Sequence, residues 1–317
     1  MSQPSIAIVG GGVIGLTTAV ELAGSGTAVT VFRDAPAADT VSATAGALWF
    51  PFEAGPAERV RGWSLRSLER FEALADIAGT GVIRRTGTVL KRTPEIPEWS
   101  AWIPGIRTAT AAELPAGTTQ SYAMTVPLIE MPVYLAWLEQ AAREAGARFE
   151  TVTVTDPEAL AGAFDTVVVA AGIASPRLVS DALGTFPIRG QIVRLENPGI
   201  SNWITDDDNP AGVTYVFPRS HDVICGGTST RSGDESWDAD TEREIIERAV
   251  ALVPELRGAA VSSRAVGLRP GRAEIRLERL GDSRILACYG HGGAGVTTSW
   301  GCAIEIAEMI DAMLPAA

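Results

Sequence analysis

The apolar residues of the chain fall into two kinds of pattern. Short runs of consecutive apolar residues at positions 5–9 and 28–32 predict buried strands. Residues 58–78 repeat their apolar positions every three to four residues, which predicts an amphipathic helix. Further helices are predicted over residues 131–146, 239–253 and 297–314.

Shorter strands separated by turn residues occupy the middle of the chain. They cover residues 187–195, 213–218 and 221–228 and are typical of an antiparallel sheet. Since helix-flanked apolar strands lie at both ends, we predict an α/β fold with two interleaved domains. An α/β domain takes residues 1–80, 145–185 and 265–317, and a mainly antiparallel domain takes residues 81–144 and 186–264.

A glycine-rich turn follows the first predicted strand and opens a helix. Gly10, Gly12 and Gly15 have the spacing Gly-x-Gly-x-x-Gly, and Asp34 follows the second strand. The glycines permit a tight turn, close approach of backbone to a pyrophosphate, and close helix–strand packing, while the acid can bind a ribose. The motif predicts a dinucleotide but does not separate FAD from NAD. Arg33 adds NADP to these candidates, because an arginine there can meet a 2′-phosphate.

Composition narrows the classes of partner and site. The 317 residues carry a formal net charge of −12, which argues against nucleic acid as a partner. Cys225, Cys288 and Cys302 are scattered and there are two histidines, so we expect neither a metal site nor a disulfide framework. This cysteine usage predicts a cytoplasmic location, and no apolar run is long enough to predict a membrane span. Formation of a homodimer is left open.

The segment VGLRPGRAEIRLE, residues 266–278, concentrates arginine within an acidic chain. Strand alternation puts Arg276 on the face opposite its apolar neighbours. A guanidinium group suits a carboxylate because it can donate two parallel hydrogen bonds, so Arg276 is a candidate for binding a small acid. By spacing alone, pairing of Arg276 with the adjacent glutamates is the favoured interpretation. Arg269 and Arg272 are compatible with structural pairing or with contacts near a cofactor.

Five further segments occur in the order found in D-amino-acid oxidases. They are TAGALWFPF (44–52), PIRGQIVRL (187–195), YVFPRSHDVICGGT (215–228), VGLRPGRAEIRLE (266–278) and YGHGGAGVTTSWGCA (289–303). With the glycine motif, they make the sequence resemble the D-amino-acid oxidase family over essentially its whole length. The resemblance implies that the α/β domain is a Rossmann-like FAD-binding domain and that the interleaved antiparallel sheet is the substrate domain.

The resemblance also implies which residues contact FAD. They are Gly10, Gly12, Val13, Ile14, Gly15, Asp34, Ser42, Gly46, Ala47, Leu48, Val154, Gly172, Arg276, His291, Gly292, Gly295, Val296 and Thr297. The glycines of GHGGAG allow the backbone to approach a flat ring, and the helix that follows would stabilise negative charge on the reduced flavin. His291 is given a structural role, not that of a catalytic base.

The activity that the resemblance implies is oxidative deamination of neutral D-amino acids by oxygen, yielding keto acids, ammonia and hydrogen peroxide. Arg276 and Tyr215 would bind the substrate carboxylate, the Gly293 carbonyl would receive the amine, and Phe50 would line an apolar side-chain pocket. Positioning and the flavin would carry the chemistry, so no residue is assigned as an acid or base.

Where the sequence departs from the family pattern, two questions stay open: which substrates are accepted, and whether a lid covers the site. Ala211 stands near the position of a lid tyrosine of vertebrate members, so the sequence does not predict a lid. Ser229 stands where D-aspartate oxidases have a second arginine, but the nearby Arg219 and Arg231 keep acidic substrates open. The sequence is also compatible with a glycine- or sarcosine-type amine oxidase, a flavin dehydrogenase with another electron acceptor, and a non-catalytic flavin-binding protein.

Overall fold

A computed structural model describes most of the chain. The described residues are 3–50, 54–92, 96–115, 118, 120–181 and 184–313. The last two residues of the segment TAGALWFPF, parts of residues 94–117, which the proline and glycine content predicts as loop, and the final residue of the predicted last helix lie outside them.

The described chain forms strands and helices of ordinary length. The strands are β1 (Ser5–Val9), β2 (Ala28–Arg33), β3 (Val82–Lys91), β4 (Arg107–Thr108), β5 (Gln120–Ile129), β6 (Arg148–Thr151), β7 (Thr166–Val169), β8 (Phe186–Glu196), β9 (Trp203–Asp206), β10 (Thr214–Pro218), β11 (Asp222–Gly226), β12 (Thr230–Arg231), β13 (Val261–Gly271), β14 (Arg276–Arg279) and β15 (Ile285–Tyr289). The α-helices are α1 (Val13–Gly24), α2 (Ala57–Leu74), α3 (Met131–Glu144), α4 (Pro157–Ala161), α5 (Ala239–Leu252) and α6 (Gly295–Met313). No helix in the described ranges is long and apolar enough to cross a membrane.

The first of two compact units comprises Met1–Gly81, Met131–Ile188 and Arg269–Ala317. Its sheet has the strand order β14-β15-β7-β1-β2-β6. The pairs from β15 to β6 are parallel, and β14 is antiparallel to β15. Because parallel strands end at the same edge, the turns after β1, β2, β7 and β15 meet there, which is where ligands bind in open α/β sheets.

Helices cover this sheet because its central strand is apolar on both faces. Ile6, Ala7 and Ile8 of β1 are fully buried, as expected of a parallel strand with packing on either side. Helix α1 contacts α3 and α6, and α2 contacts α6. The buried apolar faces of these helices supply the hydrophobic stabilisation that holds the turn after β1 in place.

The second unit comprises Val82–Glu130 and Arg189–Leu268. It contains the sheet with the order β12-β8-β11-β10-β9-β3-β5-β4, and β13 also pairs with β8. Helix α5 buries Ile245 and Ala249 in one apolar cluster with Val216 and Cys225. One face of the sheet is therefore packed beneath a helix, in keeping with an antiparallel sheet that has one buried side.

Two features differ from the sequence prediction. The predicted boundary 81–144 places helix α3 in the antiparallel domain, but the helix belongs to the first unit, because its buried residues Leu135 and Leu138 face a helical layer that includes α1. Strand β5 is not predicted. Residues 123, 124, 126, 128 and 129 are all buried, so the strand lacks the alternation that would have revealed it.

Candidate functional site

The glycines after β1 are required by close approach of the backbone. Gly10 has φ +130°, and a Cβ at this position would lie 2.3 Å from the carbonyl oxygen of Ala170, next to β7. A Cβ at Gly15 would lie 2.0 Å from the carbonyl oxygen of Gly10. Any larger residue at either position would push β1, α1 and β7 apart, as the motif predicts for its first and third glycines.

The N-terminus of α1 is built to receive an anion. Gly12 precedes the helix without a side-chain cap, and the first turn contains no acidic residue. The backbone N–H of Val13 donates a 3.0 Å hydrogen bond to Oγ of Ser42, so a predicted pyrophosphate contact lies at this helix end. Backbone N–H groups and the helix dipole together favour a phosphate at such a terminus.

Arg33 and Asp34 are adjacent at the end of β2 but differ in their surroundings. Arg33 binds the carboxylate of Glu139 with both terminal nitrogens and lies 5.2 Å from the ring centroid of Phe149. Its guanidinium group is therefore already bound to protein side chains. The argument that Arg33 could bind the 2′-phosphate of NADP no longer applies. Asp34 is exposed immediately beyond the strand, where its carboxylate is accessible to a ribose.

Val154 and Gly172 lie after the ends of two strands of the same sheet, β6 and β7. Val154 follows β6 and packs against the apolar cluster that contains Phe32 of β2. Gly172 follows β7 and has φ +56°, a conformation that glycine adopts without strain. Both predicted cofactor contacts thus lie beyond the carboxyl edge of the parallel sheet.

The segment before residue 51 is fastened to the start of α6. The hydroxyl group of Thr297 donates a 2.9 Å hydrogen bond to the carbonyl of Phe50 and accepts a 3.3 Å hydrogen bond from its N–H. Gly46 and Ala47 are half-buried and Leu48 is buried. Ala47 has φ +57°, a conformation uncommon for alanine and often retained at binding sites.

The loop between β15 and α6 exposes backbone next to a helix N-terminus. Gly292 has φ +52° and donates a 2.8 Å hydrogen bond to the carbonyl of Pro270, while Gly293 is exposed. Helix α6 begins at Gly295, has no acidic residue in its first turn, and buries Val296. These features match a backbone that lies along a flat ring, and they leave the Gly293 carbonyl accessible.

His291 lies in this loop between two cysteine side chains. Its Nε2 is 3.9 Å from Sγ of Cys288 and 3.7 Å from Sγ of Cys302, and all three residues are buried. A hydrogen bond from Cys302 lowers the pKa of Cys288, and His291 acts in the same direction. The sequence pattern leaves the cysteines scattered, because Cys288 and Cys302 are 14 positions apart along the chain and meet only through the packing of β15 against α6.

Arg276 is held at the carboxyl edge by three neighbours. Its Nε donates to Glu278 at 2.7 Å and its Nη1 donates to the hydroxyl of Tyr289 at 2.7 Å and to the carbonyl of Ser180 at 2.5 Å. The side chain is only 13% exposed. Burial lowers the pKa of Arg276, but the hydrogen bonds to Tyr289 and Glu278 outweigh it and the pKa is raised.

These contacts include one of the two roles that the sequence suggests for Arg276. The pairing with Glu278 is the glutamate contact expected from spacing. The guanidinium group is nevertheless turned inward, and its hydrogen bonds to the described residues leave Nη2. Nη2 is thus left to donate to an added acceptor, while the hydrogen bonds of Nε and Nη1 fix the orientation of the guanidinium group.

Arg272 has a structural role. It forms an ion pair of 3.4 Å with Asp181, and both side chains are buried. Its aliphatic part packs on Gly290, where a Cβ would lie 2.8 Å from Cδ of the arginine. Arg269 is half-buried.

In the second unit, Tyr215 is positioned by a pair of glycines. A Cβ at Gly226 would lie 2.1 Å from Cζ of Tyr215, and a Cβ at Gly227 would lie 2.9 Å from its hydroxyl oxygen. The ring also stacks on Phe217 at 4.7 Å between centroids. Tyr215 is half-buried, so its ring is packed in one orientation without being sealed inside the sheet.

Arg219 and Arg231, which were considered for binding acidic substrates, differ in their exposure. Arg219 is buried and binds the carboxylate of Asp222 through Nε and Nη2. Arg231 lies on β12 and is exposed. Ser229 and Ala211 lie outside this strand and are also exposed. A cation already neutralised by a neighbouring carboxylate is a poor receptor for a second one, so Arg219 is not a free carboxylate receptor.

Comparison with known proteins identifies the family. The model of the family described as FAD dependent oxidoreductase matches residues 5–309. The chain belongs to this family. Two proteins named D-amino-acid oxidase are similar to it: that of Rubrobacter xylanophilus is 42% identical over 314 residues, covering 97% of this chain and 96% of the relative, and that of Streptomyces coelicolor is 43% identical over 316 residues, covering 96% of each.

More distant matches show the same fold. A human protein named D-aspartate oxidase is 33% identical over 329 residues, covering 98% of this chain and 95% of the relative. The solved structure of glycine oxidase from Geobacillus kaustophilus has a TM-score of 0.82 at 22% identity, covering 100% of this chain and 96% of that chain. The mixed α/β fold predicted from the sequence is confirmed by this likeness.

The residues of this FAD dependent oxidoreductase fit its cofactor. Gly12 exposes backbone at the start of α1, where a Cβ would lie 3.1 Å from Oγ of Ser42, and the first turn of α1 contains no carboxylate that would repel a pyrophosphate. Asp34 is exposed and can bind a ribose, and Arg33 is already paired with Glu139 and does not favour NADP. FAD is therefore the cofactor that both the family and the geometry support.

The structure unites some predicted residues and adds others. Ser42 lies with Gly12 and Val13, and Phe50 lies with Thr297. The hydrogen bonds of Arg276 within the described chain go to none of the other predicted site residues. Of its partners, Glu278 was expected from spacing, whereas Ser180 and Tyr289 were missed, and so was the meeting of Cys288 with Cys302. The register that pairs Arg276 with Tyr289 was the missing information, since strand order is not visible in a single sequence.

Proposed function

We propose that this chain is a D-amino-acid oxidase that acts on neutral D-amino acids. The observation that carries the proposal is the identity of 42–43% over nearly the full length of two proteins with that name. FAD, when bound, would accept a hydride from Cα of the substrate in its neutral-amine form, which becomes the protonated imino acid, and would pass the two electrons to oxygen, which becomes hydrogen peroxide with two protons. The imino acid then hydrolyses in water to a keto acid and ammonia.

We assign FAD to the first unit and the substrate sheet to the second. The cofactor-binding residues proposed are Gly10, Gly12, Val13, Ile14, Gly15, Asp34, Ser42, Gly46, Ala47, Leu48, Val154, Gly172, Arg276, His291, Gly292, Gly295, Val296 and Thr297. Support comes from the uncapped helix N-terminus at Gly12 and from the Thr297–Phe50 hydrogen bonds, which order the segment beside the loop.

Four residues would position the substrate. Arg276 would bind the carboxylate through the nitrogen left by its present partners, and Tyr215 would donate a hydrogen bond to the same group. The exposed carbonyl of Gly293 would accept from the amine, and buried Phe50 would line the side-chain pocket. No acid or base is required, because orientation of the Cα–H bond is the contribution of the protein.

A neutral substrate is favoured by the state of Arg219. Its guanidinium group is already bound to Asp222, so it supplies no second positive site for a side-chain carboxylate. D-Aspartate is the second candidate, favoured by the human relative named D-aspartate oxidase. We also infer a cytoplasmic location, since Cys225, Cys288 and Cys302 are free thiols, as a reducing compartment requires.

Anaerobic spectral titration tests the proposed reaction. The purified protein should be yellow, and D-alanine or D-valine should bleach the flavin bands, whereas the L-forms and sarcosine should not. D-Aspartate should bleach them only at much higher concentration. Bleaching by L-alanine alone would contradict the chirality, a flavin unreduced by every amino acid would favour a binding protein, and reduction without peroxide in air would indicate a dehydrogenase.

Replacing Gly226 by alanine should act on the substrate through Tyr215. The new Cβ would lie 2.1 Å from Cζ of the tyrosine, so the ring must move and its hydroxyl would lose its position. A lost hydrogen bond to a charged group corresponds to about 1.5–3 kcal/mol, so KM should rise by roughly 10- to 150-fold. The measurement is steady-state kinetics with D-alanine.

The variant Tyr215→Phe serves as the matched control because it removes only the hydroxyl group. If Gly226 acts through Tyr215, the double variant should be little worse than either single variant, since coupled residues give non-additive effects. Additive effects, or an unchanged KM in Gly226→Ala, would refute the positioning role. Far-UV circular dichroism checks that the sheet is retained.

A further inference from the structure

Cys288, His291 and Cys302 bring three metal-binding atoms together in the first unit. Cys288 lies in β15, His291 in the loop that follows, and Cys302 in α6. Their Sγ and Nε2 atoms all lie within 4.8 Å of one another. The residues are 1%, 4% and 0% exposed, so the cluster is inside the protein and its ligand atoms are shielded from water.

The separations are those of a metal site. Zinc–sulfur bonds of about 2.3 Å and zinc–nitrogen bonds of about 2.0–2.1 Å at tetrahedral angles place sulfur and nitrogen about 3.6 Å apart. The observed distances from Nε2 are 3.7 Å to Cys302 and 3.9 Å to Cys288. The Sγ atoms of the two cysteines also lie within 4.8 Å of each other, so small side-chain shifts would bring all three ligand atoms to bonding distance of one ion.

The orientation of the imidazole is a second, independent observation. Nε2 is a polar atom in a buried residue, and within the described chain its partners are the two sulfur atoms. Sulfur is a weak hydrogen-bond partner, so this arrangement satisfies a buried nitrogen poorly in the absence of an ion. A metal ion would replace two weak contacts by a coordinate bond.

The ligand chemistry selects the ion. Two thiolates and a neutral imidazole are soft or borderline ligands, which suit Zn²⁺ and do not suit Mg²⁺ or Ca²⁺. Two thiolates with a divalent ion have zero net charge, which is the combination that a buried site accommodates at least cost.

We propose that Cys288, His291 and Cys302 form a binding site for a thiophilic divalent metal ion, Zn²⁺. The ion links the end of β15 to α6 and fixes the loop that contains Gly293. Metal binding itself is independent of the proposed oxidase function. Only its effect on substrate kinetics, through the position of the Gly293 carbonyl, rests on that function.

Metal content tests the site directly. The FAD-loaded protein, produced with added zinc and then dialysed, should contain one zinc per chain by mass spectrometry. Cys302→Ala and Cys288→Ala should lose it, whereas Cys225→Ala should keep it. Cys225 is the matched control, because it is also a buried free cysteine but lies in the second unit. Equal zinc in all four proteins, or none in the wild type, overturns the proposal.

Two measurements on the wild-type protein remain decisive if the cluster variants do not fold. Zinc X-ray absorption should show a shell with sulfur at about 2.3 Å and nitrogen at about 2.0 Å, whereas a shell of oxygen and nitrogen alone contradicts the site. Thiol titration in denaturant with a chelator should count three thiols. A count of one would show a Cys288–Cys302 disulfide and would also overturn the proposal, while bound FAD and oxidase activity report separately on the proposed function.

Discussion

Replacing Gly15 by alanine is expected to give a protein that retains little FAD. The added Cβ would lie 2.0 Å from the carbonyl oxygen of Gly10, so α1 must move away from β1. The amides at the helix N-terminus then no longer meet the pyrophosphate. Each lost hydrogen bond to a charged group corresponds to about 1.5–3 kcal/mol, so the Kd for FAD should rise by at least about tenfold per bond. The measurement is titration of the apoprotein with FAD.

Gly24→Ala is the matched control for this prediction. Gly24 lies at the other end of α1, and a Cβ there would meet nothing within 4 Å. Alanine is a better helix former than glycine, so this variant should bind FAD normally and melt at an equal or higher temperature. If Gly15→Ala bound FAD as tightly as Gly24→Ala does, the close packing after β1 would not be what positions the cofactor.

Arg276 is one of many proposed FAD contacts, so replacing it by alanine is expected to weaken the use of substrate while the remaining contacts keep FAD bound. Removing one side of a buried, hydrogen-bonded charge pair costs about 2–4 kcal/mol, which corresponds to a decrease in kcat/KM of roughly 30- to 1,000-fold. Most of the change should appear in KM, since the carboxylate is bound before and during the reaction. Steady-state kinetics with D-alanine and the flavin content of the purified variant are the two measurements.

Arg279→Ala is the control on the same strand. Arg279 is exposed at the far end of β14 and donates to the backbone carbonyls of Asp282 and Ser283, so it should be kinetically silent. Arg276→Lys separates charge from shape, because lysine keeps the charge but cannot form two parallel hydrogen bonds. We expect it to recover only part of the lost affinity. Unchanged KM in Arg276→Ala would reduce Arg276 to the ion-pair partner of Glu278.

The sequence was sufficient wherever the determining contacts are local. The glycine spacing predicted the turn after β1, and the structure supplies the reason in the approach of Gly10 to Ala170 and of Gly15 to Gly10. The apolar run in β1 predicted a strand buried on both faces. Strand β5 was missed because its buried residues do not alternate with exposed ones and its apolar residues do not form an unbroken run like that of β1.

Pairings between distant positions were beyond the sequence. From the sequence alone, Arg33 is a candidate for binding a 2′-phosphate. The structure shows that it is paired with Glu139, which lies 106 positions away. The helix α3 that provides Glu139 was assigned to the wrong domain for the same reason. Periodicity identifies the face that a helix buries, but it does not identify the element that covers that face.

The sequence by itself determined the family and the dinucleotide-binding turn, and through the family resemblance it predicted which residues contact FAD and substrate. Only the tertiary structure decided that Arg276 binds Tyr289 and Ser180, that Thr297 binds Phe50, and that the two scattered cysteines meet at His291. The physical reason is that spacing specifies local geometry within a few residues. Strand order and helix packing, which join positions 13 to 247 residues apart here, arise from burial of the whole core.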